Sequence, residues 1–495
     1  EPAQVLDALA APSTRIVSLT VTEKGYGFDP ASGGLDRTRP EIIADLATPA
    51  RPTSVVGYLV AGLVRRRARG APGLTVLSCD NLPGNGELVR RLVLEFAREL
   101  DRVLAAPREP AAVIDALAAP STRIVSLTVT EKGYGFDPST GGLDRTRPEV
   151  AADLAAPTRP TSVVGYLVAG LVRRRARSAP GLTLLSCDNL PGNGELVRRL
   201  VLEFARELDR DLADWIAETV RFPSTMVDRI TPASSVETLA EAERATGRVD
   251  KAAVETEPFS QWVIEDDFAV GRPDWEAGGA LFVPSVAPYE KMKLRMLNGA
   301  HSMIAYAGFL AGHEHVRDAM AHEAMRVLVE RHLRDAARTL EPVPGIALPD
   351  YAARLMERFA NPAIAHRTEQ IAMDGTQKLP QRIFEPALAA YEAGWSLDSY
   401  AFATAMWIAF ARGRTEDGRA YALRDPRAPA LAAATDGRTG DAGALVDAVF
   451  GLDGLMPARL AQARPFRDAV ATRLMRVVDD GVAAAIAREA MPCRV

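Results

Sequence analysis

Residues 181–208 read GLTLLSCDNLPGNGELVRRLVLEFAREL, and their order of patterns decides the fold class. The opening GLTLLSCDN is a short continuous apolar run, the signature of a buried strand. LPGNG punctuates it as a turn. ELVRRLVLEFAREL then repeats its apolar residues at helical spacing and predicts an amphipathic helix. A buried strand, a tight turn and a helix in immediate succession make half of a βαβ unit. The same stretch stands at 73–100 with one change, Val76 for Leu184.

The repetition extends well beyond this stretch. Glu1 to Leu104 matches Glu109 to Leu212 without gaps at a constant shift of 108, and about ten positions differ, including Leu6/Ile114, Gly70/Ser178 and Val76/Leu184. The period is too long for a solenoid unit and two copies make no array, so we read a tandem duplication of a half-domain. Each copy carries a short helix (AAVIDALAA in the second), a strand (RIVSLTVTE), a turn-rich loop (KGYGFDPSTGGLDRTRP) and a helix ending in basic residues (SVVGYLVAGLVRRRARS). The strand, turn and helix quoted above complete it. This βαβα alternation predicts a parallel sheet covered by helices. Basic residues at a helix C-terminus suit the macrodipole, which is our reading of LVRRRAR at 63–69 and 171–177.

The second copy continues into WIAETVRFPSTMVDRITP, an extended segment and a loop, and FSQWVIEDDF and ALFVPSV read as further strands. After Pro288 the chain changes character. MKLRMLNGAHSMIAYAGFLAG, EHVRDAMAHEAMRVLVERHLRDAARTL, DSYAFATAMWIAFARG and RPFRDAVATRLMRVVDDGVAAAIARE all show helical apolar periodicity. Trp407 and Phe410 are read as core. The expected architecture is α/β plus all-α. A Rossmann-like parallel-sheet region has its N-terminal part replaced by the duplicated βαβα segment, and a mostly helical domain follows. The boundaries are 1–108 for copy 1, 109–285 for copy 2 with its extension, and 286–495 for the helical domain.

Composition narrows the partners. The net charge of −5 gives no reason to expect nucleic acid or an anionic membrane, and no apolar run has the length of a membrane span. EPAQVLDALAAPSTR lacks the basic start and apolar stretch of a secretory signal. The three cysteines, Cys79, Cys187 and Cys493, make neither a disulfide framework nor a zinc spacing. We therefore expect a cytoplasmic monomer acting on a small molecule. His313, His315 and His322 lie close in sequence, but no pair has the helical spacing of four that metal ligation favours, so no metal is expected.

YEKMKLRMLNGAHS, 289–302, bears the chemistry. On an α-helix Lys293, Asn298 and His301 fall within about 140° of arc and can face one cleft. A buried Lys with a lowered pKa can remove a hydroxyl proton, an Asn amide can hold the developing alkoxide, and a His can position a neighbouring hydroxyl. By spacing alone, a solvated Lys and Asn and a packed His are the stronger reading. Glu131, after SLTVT, stands either at the cleft end of its strand or as a surface or capping residue.

KMKLRMLNGAHSMIAYAGFLAG resembles the signature helix of the polyol-specific long-chain dehydrogenases, the mannitol dehydrogenase family. IVSLTVTEKGY, TVLSCDNLPGNGE, FPSTMVDRITP, EPFSQWVIEDDF, LEPVPGIALPDY, RFANPAIAHR and DGTQKLPQR resemble family segments in family order, from about residue 109 to the C-terminus. The resemblance implies hydride transfer between a nicotinamide cofactor, NAD or alternatively NADP, and a polyol/ketose pair such as D-mannitol and D-fructose. Fructuronate and tagaturonate reductases share the signature and are the alternative within the family. It further implies Lys293 as general base, Asn298 and Asn189 as amides on the reacting oxygen, and His301 as the substrate-orienting histidine. Glu290 would lie on the proton path, Lys378 would contact substrate, Asp228 would stand near cofactor and substrate, and Glu131 near the cofactor. No metal is implied.

The chain departs from the family pattern at two places. Gln370 stands eight residues before Lys378, where a close relative has an arginine. The family also opens on a strand and a Gly-rich turn that holds the cofactor pyrophosphate on backbone N–H groups, and copy 1 stands in its place. KGYGF and PGNGE do not match that turn. The competing expectation is therefore a catalytically silent relative with an impaired nucleotide site. In either case only copy 2 leads on to the Lys293 helix, so Asn81, the counterpart of Asn189, is read as a duplicate without a site.

Overall fold

Each copy builds a pair of parallel strands. In copy 1, β1 (Ile16–Leu19) lies beside β2 (Thr75–Ser78), with Ile16 opposite Thr75. In copy 2, β3 (Ile124–Leu127) lies beside β4 (Leu182–Ser186), with Ile124 opposite Thr183. The crossover helices Val55–Ala68 and Val163–Ala176 start on serine caps, because Ser54 and Ser162 Oγ accept the N–H of Gly57 and Gly165 at 3.0 Å. A buried aspartate fixes each cap, Ser162 Oγ donating to Asp153 at 2.6 Å as Ser54 Oγ does to Asp45. The chain is seen here as a computed structural model. It describes all residues except 1, 20–22, 30–33, 37, 79–84, 101–110, 130, 138–139, 438–439 and 492–495, so Cys79, Asn81 and Cys493 lie outside the described residues.

The basic helix ends do more than complement a dipole. Arg174 is fully buried, and its guanidinium donates to the carbonyls of Leu117, Ala119, Thr122, Pro180 and Gly181 at 2.7–3.2 Å. It thereby satisfies carbonyls on two connections that no ladder reaches. Arg66 repeats the arrangement in copy 1. At the helix end Ser178 takes a left-handed φ of 50°, where copy 1 places Gly70 at 59°.

Nearly identical sequences meet different surroundings. β4 has a second parallel neighbour, β5 (Val220–Arg221), with Leu182 opposite Val220, and every β4 residue is buried. β2 has no second neighbour among the described residues and is exposed at Thr75, with Val76 and Leu77 half-buried. The buried-strand reading therefore holds for β4 and fails for β2, because β5 belongs to the extension that only copy 2 possesses. β1 is likewise half-exposed rather than buried. The two copies keep separate cores, one around Leu92, Phe96 and Val60 and the other around Leu200, Val201 and Phe204. Each fully buried Leu or Phe side chain there contributes about 1.5–3 kcal/mol.

A third sheet follows, in the order β6 (Thr225–Asp228), β7 (Gln261–Glu265), β8 (Leu281–Val283), with β7 and β8 parallel. Between β6 and β7 lies a helix, Val236–Thr246, that the sequence reading left in a mixed region. It has a capping box at Ser235 and Thr238 but no buried residue, so no apolar stripe announces it. The first compact unit comprises Glu1–Val227, Ser234–Val254 and Ser260–Val286, and is Rossmann-like.

The second unit comprises Ala287–Val495 together with Asp228–Ala233 and Glu255–Phe259, two stretches that sequence order alone assigns to the sheet region. It is helical. Helices Gly299–Leu310 and Asp398–Ala411 pack against each other and are buried almost all round, which their Ala- and Gly-rich surfaces permit. Helix Arg464–Asp480 packs on the second of them. Among the described residues no helix is long and apolar enough to cross a membrane.

Candidate active site

The helix bearing Lys293 is not a regular α-helix. Ala287–Met292 is α, Lys293–Asn298 is a π-turn and Gly299–Leu310 is α again. The Gly299 N–H reaches back five residues to the Leu294 carbonyl. The 100°-per-residue arc drawn from sequence therefore does not apply across Lys293–Asn298. A five-residue closure stacks Asn298 about one turn beyond Lys293, a wider arrangement that recurs at functional sites. Lys293 is buried, Asn298 and Glu290 are half-buried, and His301 is buried.

A second π-turn, Pro380–Phe384, packs against the first. Gly299 makes the approach possible. A Cβ there would stand 2.8 Å from His332 Nε2 and 3.0 Å from the Arg382 carbonyl oxygen. Arg382 also donates from Nη1 to Ser302 Oγ at 3.3 Å, next to His301. Just before the second π-turn, Asp374 takes a left-handed φ of 58° and opens the short helix Gly375–Leu379, which carries Lys378. Lys378 Nζ donates to the Ile371 carbonyl at 3.3 Å and lies 3.9 Å from Asp374.

Burial shifts the bases of this unit toward their neutral forms. Burial lowers the Lys293 pKa; Asp228 and Glu290 pull it back up while Arg382 and Arg358 push it down. Burial, then His366, Arg382 and Arg358, hold His301 well below the ordinary histidine value. Burial takes His366 to about 4 and Lys378 to about 8. His301 packs on Phe359 with ring centroids 4.6 Å apart and meets the edge of His366 at 5.4 Å. His301 Nε2, His366 Nδ1 and Tyr306 Oη are buried without a hydrogen-bond partner, as are both ring nitrogens of His332 and Tyr400 Oη in the same unit. Buried groups of this kind are normally satisfied, so the cluster suits a ligand rich in hydroxyls.

Asp228 lies in this unit, but its carboxylate is engaged. Arg358 donates to both Asp228 oxygens at 2.8 and 2.9 Å and to both Glu257 oxygens at 2.7 and 2.9 Å. Tyr351 Oη adds a bond to Asp228 at 3.3 Å. Gln370 is exposed on Thr368–Ala372.

The other two predicted residues belong to the first unit. Asn189 is exposed on the turn after β4, and Glu131 opens the 3-10 turn Glu131–Tyr134. The same turn is organised by residues the sequence reading passed over. Asp188 is buried, accepts from Ser186 Oγ at 2.5 Å and also from Tyr134 Oη and the Val129 N–H, and burial raises its pKa. Asn193 Nδ2 donates to the carbonyls of Asp188 and Thr225 at 2.8 and 2.9 Å, and Asn193 Oδ1 accepts the Thr225 N–H at 3.0 Å.

PGNGE is therefore a structural turn. Asn193 is spent on backbone, a Cβ on Gly194 would stand 2.3 Å from the Phe222 carbonyl oxygen, and Glu195 places a negative charge in the first helical turn. None of this fits a phosphate cradle. In both copies the element after the first strand is a 3-10 turn, Glu23–Tyr26 or Glu131–Tyr134, and the strand, turn and helix succession that does occur, β4 to Asn193–Leu208, carries the structural PGNGE turn.

Sequence reasoning missed Arg358, Tyr351, Glu257, His366, Tyr306 and Arg382. The segments RFANPAIAHR and DGTQKLPQR drew notice as stretches, but nothing in their spacing shows that they converge on one helix.

Known proteins share this organisation. The model of the mannitol dehydrogenase Rossmann domain matches residues 1–106 and 97–277, and that of the mannitol dehydrogenase C-terminal domain matches 285–478. The D-mannonate oxidoreductase of Escherichia coli is 43% identical over 76% of this chain and 77% of its own length. An uncharacterised oxidoreductase of the same organism is 48% identical over 64% of this chain and 66% of its own, so the chain spans slightly less than two thirds of that relative. The mannitol 2-dehydrogenase of Phaeosphaeria nodorum is 40% identical over 72% and 62%, respectively. Among solved structures, Pseudomonas fluorescens mannitol 2-dehydrogenase in ternary complex with NAD and D-mannitol superposes with a TM-score of 0.67 at 36% identity, covering 76% of each chain. On its sheet region, its helical domain and these matches, the chain belongs to the mannitol dehydrogenase family of oxidoreductases.

Proposed function

We propose that the chain interconverts a secondary alcohol of an open-chain polyol and the corresponding ketose, of the D-mannitol and D-fructose kind, with NAD as the cofactor. A nicotinamide ring supplies the hydride acceptor in such chemistry. Lys293 takes the hydroxyl proton, which requires its neutral form, and Glu290 passes that proton toward solvent. The Asn298 amide donates to the oxygen as charge develops on it, the part that the resemblance also gives to Asn189. His301, with its free Nε2, receives a neighbouring hydroxyl, and Lys378 contacts the chain of the substrate.

The observation carrying this reading is the cluster of unsatisfied buried polar atoms, His301 Nε2, His366 Nδ1 and Tyr306 Oη, in the same unit as a buried lysine. A second reading, a catalytically silent relative, is favoured by the lack of a phosphate cradle among the described residues. Titration with NADH, followed by nucleotide fluorescence and mannitol-dependent turnover, separates them. Micromolar binding with turnover excludes the silent chain, and no binding at millimolar NADH excludes the dehydrogenase.

A further inference from the structure

The π-turn at Lys293 leaves one carbonyl short of its usual donor. In a regular α-helix the Gly299 N–H would bond to the Arg295 carbonyl, four residues back. Here it goes to the carbonyls of Leu294 and Met296, so the Arg295 carbonyl loses that bond. Carbonyls of packed helices are almost always paired. Helix Glu323–Arg338 packs against this turn and carries His332. The His332 ring is fully buried, and a Cβ on Gly299 would stand 2.8 Å from its Nε2 and 3.6 Å from its Cε1. Neither ring nitrogen has a hydrogen-bond partner of normal geometry. Burial takes the ring to about 4, and the Arg295 backbone opposes that fall, the effect of an N–H turned toward a carbonyl. The ring is therefore neutral near pH 7 and carries one N–H. Arg295 is tied to the end of the same helix by its side chain, Nη1 donating to the Thr339 carbonyl at 2.6 Å.

We propose that His332 is a positioning residue for the proton-transfer step: its Nε2–H replaces the missing helical donor at the Arg295 carbonyl and holds the five-residue closure that sets Asn298 relative to Lys293. The inference rests on the proposed alcohol–ketone chemistry, to which it adds a residue that touches no reacting atom. A phenylalanine would fill the same space without burying two unpaired ring nitrogens. The imidazole differs from it in offering an N–H beside the turn. Tyr400 meets the His332 ring edge-on, with centroids 5.6 Å apart, and so restricts its plane. The lever on catalysis is register. A return to four-residue closure would turn Asn298 and His301 by roughly 100° about the helix axis relative to Lys293.

The test measures kcat and KM for D-mannitol with the full chain at saturating NAD, in the wild type, in His332→Phe and in His332→Gln. The phenylalanine keeps a ring and removes the N–H, and the glutamine amide can return a donor. His332→Phe should lower kcat about tenfold, the factor that one hydrogen bond of ordinary net strength controls, and leave KM within about twofold. His332→Gln should recover most of kcat. A phenylalanine chain with kcat within about twofold of wild type, or equal losses in the two variants, overturns the proposal. Amide hydrogen exchange of the segment Leu294–His301 reads the turn without turnover. It should quicken in His332→Phe but not in His332→Gln, while helix Arg464–Asp480 exchanges alike in all three chains. If no chain oxidises mannitol and this pattern still appears, only the alcohol–ketone reading fails; unchanged exchange at Leu294–His301 overturns the role of His332. Should His332→Phe not fold, NMR of nitrogen-labelled histidine in the wild type decides. A neutral His332 ring protonated on Nε2 supports the proposal, and one protonated on Nδ1 overturns it.

Discussion

Replacing Arg358 with Met removes the centre of a buried ion network. Arg358, Asp228 and Glu257 expose 7%, 2% and 2% of their side chains, and the guanidinium makes four charge-assisted bonds of 2.7–2.9 Å besides lying 4.1 Å above the Phe259 ring. At about 1.5–3 kcal/mol each, four such bonds sum to more than the whole effect measured when buried pairs are broken, because the surroundings relax. The two carboxylates also keep donors, Tyr351 Oη for Asp228 and the Ile230 N–H for Glu257. We therefore expect a loss of about 3–5 kcal/mol, with Arg358→Lys losing roughly half as much because an ammonium cannot reproduce the fork. Urea unfolding followed by near-ultraviolet circular dichroism measures it. A second readout is independent of stability. Arg358 pushes the Lys293 pKa down and Asp228 pushes it up, so removing the arginine shifts the rising limb of alcohol oxidation to higher pH. A stability change below about 1 kcal/mol, or an unmoved pH limb, refutes the reasoning.

Further outcomes are expected at Gly299, Asn189 and Lys293. Gly299→Ala gains helix propensity of about 1 kcal/mol but places a Cβ 3.0 Å from a backbone carbonyl and 2.8 Å from His332. A net loss of about 1–3 kcal/mol should appear as a lower melting temperature, and an unchanged or raised one contradicts the close packing of the two π-turns. Asn189→Ala should cost about 2–4 kcal/mol of activation barrier in kcat while Asn81→Ala stays near wild type, and equal losses would show that both copies serve catalysis. Burial lowers Lys293 from the ordinary lysine value of 10.5, so the folded chain binds fewer protons there than the unfolded one. Stability from this group rises with pH between the lowered pKa and 10.5. Alcohol oxidation should rise with pH as Lys293 becomes neutral. Lys293→Ala should abolish turnover with the fold intact, and activity within tenfold of wild type would remove Lys293 as the base.

Local sequence determined a good deal. The apolar run, PGNG turn and amphipathic helix of 181–208 specify strand, turn and helix wherever they stand, and they form these elements in copy 2. Lys293 and His301 were legible as candidates because their chemistry and their resemblance to a signature helix reside in one short segment. The π-turn was not legible, since no local pattern marks a five-residue closure and Gly299 sits against the Arg382 carbonyl of a distant segment. Arg382, Arg358 and His366 were hidden for the same reason, their roles being set by convergence of distant segments.

The duplicated strand shows where sequence stops. Thr75–Ser78 and Thr183–Ser186 differ at one residue, yet the second is wholly buried and the first is exposed at its start. Only the copy followed by β5 and β6 gains a second strand neighbour and the Asn193 bonds to Thr225. Local pattern fixes which element forms. Burial, and with it the desolvation that shifts a pKa or makes a polar atom require a partner, depends on what the rest of the chain lays against that element.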